Sequence, residues 1–223
     1  MNVPIQGDLP EQLMMLLTTL ILVVQLMMVP QRTLTGNINL FGIQSLLLAG
    51  VAATVAYFHQ AGHVWFVVAL IVGGKVIALP WFLKRLVRRI NINQDLKPSL
   101  NSPTAMLLCG IFTLVGYLVA RPFAGKALVI NSTFGIAIAL MLMGFFLMIN
   151  RRTAITQVLA LLCAENGLFL AAIALTTYGM PLVVELGIFF DLFIAVLVLG
   201  ILVYRIRETF ASIDVERLNQ LKG

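Results

Sequence analysis

The chain reads as long apolar runs broken by short polar stretches. A membrane-crossing helix needs about 20 mostly apolar residues at a rise of 1.5 Å each. Seven runs meet that length: Leu13–Val29, Leu40–Phe58, Val64–Leu83, Ala105–Ala120, Leu128–Ile149, Ile155–Thr177 and Leu182–Tyr204. Prolines punctuate the breaks. Pro30 closes the first run and Pro80 lies near the exit of the third. Pro98 and Pro103 bracket the loop before the fourth, Pro122 follows it, and Pro181 opens the seventh. The runs do not alternate apolar with polar residues, which excludes a closed β-barrel. The expected fold is all-α, a polytopic membrane bundle of seven transmembrane helices.

Composition agrees with a lipid solvent. Hydrophobic residues make up 61% of the chain and charged residues 11%, and the mean hydropathy is +1.02. A soluble domain carries roughly 25% charged residues. A soluble enzyme, a secreted disulfide scaffold and a disordered chain are excluded. The net charge of +6 raises the question of nucleic acid, but the placement of the basic residues answers it. With the N-terminus outside, the inner loops hold Arg32, then Lys84, Arg85, Arg88, Arg89 and Lys97, then Arg151 and Arg152. The inner tail holds Arg205, Arg207, Arg217 and Lys222. Only Arg121 and Lys126 fall outside, and Lys75 lies within a span. The positive-inside rule therefore predicts an N-out, C-in protein with no nucleic-acid partner. The loop 84–104 begins as a basic amphipathic stretch suited to inner lipid headgroups or an acidic partner loop. Asp8 and Glu11 precede the first run, where a signal peptide would carry basic residues, so none is expected.

Little conventional chemistry is signalled. Cys109 and Cys163 lie in apolar runs without a CxxC pattern and read as small hydrophobes. His59 and His63 are four apart in an outer loop, not at the depth a haem requires. No P-loop, GxGxxG or HExxH occurs, so no cofactor, metal or catalytic centre is expected. Small residues recur at helical spacing, Ser45, Ala49, Ala52 and Ala56 in one run and Ala160, Ala164, Gly167, Ala171 and Ala174 in another, and predict close helix packing. Asn37, Asn39, Gln44, Asn131, Ser132 and Gln157 lie near run ends and read as interfacial, with Gln44 or Gln157 able to support a water chain.

Four ionisable residues fall within the spans: Lys75, Glu165, Glu185 and Asp191. Each charge at a helix centre costs roughly 2.5–3.5 kcal/mol on insertion scales. Such residues face the protein interior, pair, or stay neutral. Counted from the inner ends, Lys75 sits about 12 Å deep, Glu165 about 15 Å and Asp191 about 20 Å, with Glu185 near the outer boundary. Burial disfavours the charged form and an opposite charge favours it, so such groups can exchange protons near neutral pH. These four residues are the candidate proton relay, across or along the bilayer. A static buried salt bridge and an ion or substrate site are the alternatives.

The segment Cys163-Ala164-Glu165-Asn166-Gly167 and the run from Val184-Glu185-Leu186-Gly187 to Phe190-Asp191-Leu192 resemble the hydrogenase-4 component E family. Lys75-Val76-Ile77-Ala78-Leu79-Pro80 and the tail from Ile213 to Gly223 resemble the same family. The last three spans are similar to subunit K of NADH-quinone oxidoreductase and the C subunit of Mrp-type antiporters, with Arg151-Arg152 before a helix that bears Glu165. The spacing from Arg151-Arg152 to Glu165 is about one turn longer here, and the third-helix acid is Asp191 rather than Glu.

The resemblance implies an N-terminal four-helix region over 1–127 and a three-helix region over 128–223, with a cytoplasmic tail from about 205. It implies a non-redox subunit of an energy-converting complex of the hydrogenase-4 or formate-hydrogenlyase kind, in the cell inner membrane. The expected partners are antiporter-like membrane subunits and the membrane anchor of a nickel-iron hydrogenase-type arm. The expected role is proton or sodium translocation through Glu165, Asp191, Lys75 and Glu185, without a bound cofactor. A purely structural adaptor, an Mrp-like antiporter subunit and an independent small transporter are the competing classes.

Overall fold

A computed structural model describes residues 9–58, 62–90, 99–123 and 128–176. All regular structure among them is helical, with no strand. In chain order the helices are α1 (Leu9–Met28), α2 (Leu34–Phe58), α3 (Gly62–Leu70), α4 (Leu79–Ile90), α5 (Ser102–Ala120), α6 (Leu128–Asn150) and α7 (Ala154–Thr176). A π-helical segment, Ile71–Ala78, joins α3 to α4 so that the chain runs as one long rod. Six helices are long and apolar enough to cross a membrane, counting this rod once, over Val64–Arg85. The protein is a multi-pass membrane protein. The expected seventh span, Leu182–Tyr204, lies outside the described residues, and so do Glu185 and Asp191.

Pro80, near the exit of the expected third span, does not interrupt the rod. It lies in the first turn of α4, directly after the π segment. Proline cannot donate to the carbonyl four residues earlier, and its ring crowds that carbonyl. A wider i→i+5 turn ahead of Pro80 relieves the crowding. Beyond the span the rod continues as amphipathic α4, which buries Leu83 and Val87 and exposes Arg85 and Arg88. Arg85 stacks on the Trp81 ring at 5.3 Å.

The small-residue runs lie between helices. A Cβ placed on Gly144 of α6 would come 2.7 Å from the Ala164 backbone and side chain of α7. One on Gly167 would come 2.8 Å from the Met141 nitrogen. On the other side of α6, a Cβ on Gly116 of α5 would collide with the Gly135 carbonyl. Close backbone approach is how helices associate in lipid, where the hydrophobic drive is absent. α1 packs on α2 and α6, and α2 also touches the π segment and α7. Leu107, Ile111 and Leu114 of α5 face outward.

Three connections meet at one end of the bundle. Arg151, between α6 and α7, is buried and points its Nη2 at the carbonyls of Met28, Val29 and Gln31, at 3.1, 3.2 and 3.0 Å. These carbonyls lie where α1 runs out and Pro30 stops it, so a cation here supplies the missing donors and suits the helix dipole. Asn150 accepts from the Leu100 amide at 2.9 Å, and Arg152 donates to Ser99 at 3.3 Å. Burial lowers the Arg151 pKa, yet a guanidinium stays charged at any physiological pH. Its role exceeds the topology signal read from the sequence.

Candidate functional site

A polar layer crosses the bundle between two apolar ones. One core cluster includes Met28, Phe41, Leu79, Met143 and Cys163. The other includes Ile21, Leu48, Ile71, Leu140 and Phe169. On every one of these helices except α6, a polar side chain falls in the gap: Gln25 on α1, Gln44 and Ser45 on α2, Lys75 in the π segment, Glu165 and Asn166 on α7. All six are buried.

Lys75 and Glu165, two of the four expected relay residues, come together here. The Lys75 ammonium is 3.9 Å from a Glu165 carboxylate oxygen, and the two residues are 6% and 7% exposed. That separation is an ion pair but exceeds hydrogen-bond length. A direct bond from Lys75 goes to the Asn166 side-chain oxygen, at 3.1 Å. Asn166 in turn donates to Gln44 Oε1 and Ser45 Oγ, both at 3.3 Å. Gln44 donates to Gln25 Oε1 at 2.8 Å. Four separate stretches of chain thus share one hydrogen-bonded layer.

The helices explain the placement. Lys75 follows Gly73 and Gly74 inside the π segment, where the widened turn sets the direction of its side chain. Glu165 and Asn166 are neighbours near the middle of α7, beside the close α6 contact at Ala164 and Gly167. α2 begins at Leu34 rather than near Leu40, so Gln44 lies well inside the helix.

The reading of Gln44 as interfacial is therefore corrected: it is wholly buried in the layer. Asn37 is buried as well, while Gln157 is exposed and donates to the Arg151 carbonyl at 3.0 Å. Gln25, Ser45 and Asn166 were not singled out as site residues from sequence. An amide in an otherwise apolar run was the available signal for Gln25 and Asn166. Ser45 reads from the sequence only as a packing residue.

Chemically the layer can hold and redistribute a charge: one acid, one base and a chain of amides, shielded above and below. Among the described residues, no three His, Cys, Asp or Glu side chains gather as a metal ion would need. Cys163 is buried against Met28, sulfur to sulfur 3.7 Å.

Known proteins place the chain. Residues 132–223 match the family described as NADH-ubiquinone/plastoquinone oxidoreductase chain 4L. An uncharacterized protein of Mycobacterium tuberculosis is 31% identical over 66% of this chain and 68% of its own length. Hydrogenase-4 component E of Escherichia coli K12 is 26% identical over 93% of this chain and 96% of its own length. The chain belongs to the hydrogenase-4 component E family. Hydrogenase-4 component E of Shigella flexneri is 26% identical over the same share of both chains. No solved structure matches the chain. The chain 4L match begins inside α6 and takes in Arg151, Glu165 and Asn166, whereas Lys75, Gln44 and Gln25 precede it. The ion pair therefore joins the part that matches chain 4L to a part that precedes that match.

Proposed function

We propose that this protein is a non-redox membrane subunit of an energy-converting, complex I-like assembly of the hydrogenase-4 kind, and that it carries charge along the bilayer plane. One observation carries the reading: the ion pair Lys75–Glu165 lies in a polar layer between two apolar ones. A layer of that shape favours lateral transfer over a straight path through the membrane. Opposite buried charges hold each other in the charged form, and protonation of one removes that support from the other. Glu165 and Lys75 would exchange or alternate protons in this way, with Asp191 as the next acid and Glu185 as a further one. The moving ion is a proton or a sodium ion.

The partners in this reading are antiporter-like membrane subunits and the membrane anchor of a nickel-iron hydrogenase-type arm. The three-helix region from 128 would supply the acids, and the region before it Lys75. The end of the bundle with Arg32, Arg85, Arg88, Arg151 and Arg152 would face the cytoplasm, as the positive-inside rule predicts. That puts the N-terminus outside and the C-terminus in the cytoplasm, with a seventh span between Leu182 and Tyr204.

Glu165→Gln in the assembled complex tests the reading. Coupled ion movement is expected to fall at least about tenfold, with assembly unchanged and electron transfer in the arm still measurable. Ion movement at the wild-type level in a fully assembled complex would remove the relay role. A second reading, a purely structural adaptor, is favoured by the way Asn166 ties α7 to α2 and to Lys75. It predicts lower assembly yield in the same variant, with activity per assembled complex unchanged.

A further inference from the structure

We infer that Asn166, held by Gln44, is the positioning residue that sets Lys75 beside Glu165. The inference rests on the charge-carrying reading above and adds to it a neutral residue. Its basis is the order of the hydrogen bonds. Lys75 reaches Asn166 at 3.1 Å but Glu165 only at 3.9 Å. The amide thus holds the ammonium by a direct bond, and of the Asn166 and Glu165 side chains it is the amide that lies within bonding distance.

Donation runs in one direction through the chain. Lys75 donates to Asn166, Asn166 to Gln44, and Gln44 to Gln25. A lysine ammonium has donors and no acceptor, so only an oxygen can face it. Presenting the Asn166 oxygen to Lys75 forces the Asn166 amino group toward α2, where Gln44 and Ser45 accept it. Gln44 must then offer its own oxygen to Asn166 and its amino group to Gln25. The sequence ends at the Gln25 amino group, a buried donor with no hydrogen-bond partner among the described residues. Reversing every amide would give that group an acceptor in Gln44 but would set two donors against each other at Lys75. The observed direction is the one a charged lysine imposes, with the unmatched donor moved to α1.

Two roles for Asn166 separate here. As a positioning residue it acts through its oxygen on Lys75. As packing glue it acts through its amino group on α2. Asn166→Asp keeps the first and loses the second, and Asn166→Leu loses both at similar volume. The experiment measures coupled ion movement per assembled complex for both variants, each also in a Lys75→Gln background, with Glu165→Gln alongside.

Positioning predicts that Asn166→Leu loses roughly tenfold or more, the scale of one hydrogen bond to a charged group. Asn166→Asp should retain most of the activity. With Lys75 already replaced, Asn166→Leu should add little further loss, because its effect passes through Lys75. Equal losses in Asn166→Leu and Asn166→Asp would overturn the inference. So would wild-type activity in Asn166→Leu while Glu165→Gln is inactive, which leaves the charge-carrying reading standing. Wild-type activity in Glu165→Gln and Lys75→Gln together would remove that reading and the inference with it.

Discussion

At the scale of single residues, the buried pair is held as much by neutral groups as by charge. Lys75 and Glu165 support each other because removing one takes a counter-charge away from the other in a site shielded from water. Lys75→Met or Glu165→Leu alone should destabilise the folded protein by about 3–5 kcal/mol, and the double replacement should recover much of the loss. Thermal unfolding of the purified protein in detergent measures this cycle. If the double variant is as unstable as the worse single variant, the two side chains do not form an energetic pair. These charges were legible in the sequence because a Lys or Glu in an apolar run has few innocent explanations. Asn166 and Gln25 were less legible, since an amide costs far less to bury and stands out less. Gln44 was misplaced because the apolar run begins at Leu40, whereas the helix begins six positions earlier, at Leu34.

At the scale of elements, close helix contacts and one polar clamp shape the bundle. α6 lies between α5 and α7 with glycine at both faces, Gly135 toward Gly116 and Gly144 toward Ala164. Gly144→Leu should push α7 away from α6 and cost about 1–3 kcal/mol or more by overpacking. A drop in melting temperature in detergent checks it. An exposed control, Gly73→Leu, has open space around its Cβ position and should cost much less. The clamp is the other determinant. Arg151→Leu removes a buried cation from the end of α1 and should cost about 3 kcal/mol, with Arg151→Lys intermediate because its ammonium keeps the charge but sits on a differently shaped stem and need not reach the place of Nη2. The same unfolding assay reads it, and wild-type stability in Arg151→Leu would show that the clamp contributes nothing. Helix positions were readable from run length, and small-residue spacing foretold the close contacts. The π segment was not readable, because Pro80 signals a disturbance without saying whether the helix ends or widens.

At the scale of the whole molecule, the connections 30–33, 99–101 and 151–153 share one end, as a serpentine bundle requires whichever way it faces, and the proposed N-out orientation puts that end in the cytoplasm. Single cysteines at Thr33, Ser99 and Thr153, in a background without Cys109 and Cys163, should all react with an impermeant thiol reagent from the cytoplasmic side. Labelling of any of them from the outside would reject the orientation. Distribution of charge made this grouping legible from sequence, whereas the fit of two apolar layers around a polar one depends on how each helix is turned and shifted. That fit appears only when the helices are placed side by side. The Arg151 clamp also bears on how the chain is made. The carbonyl of Met28 is completed by a residue 123 positions later. The ribosome will have produced α2 to α6 before that donor exists, so α1 reaches its final state only after most of the chain has entered the membrane. Release from the insertion machinery one helix at a time would leave α1 with an unfinished end, and its last turn must wait for the end of the fifth span.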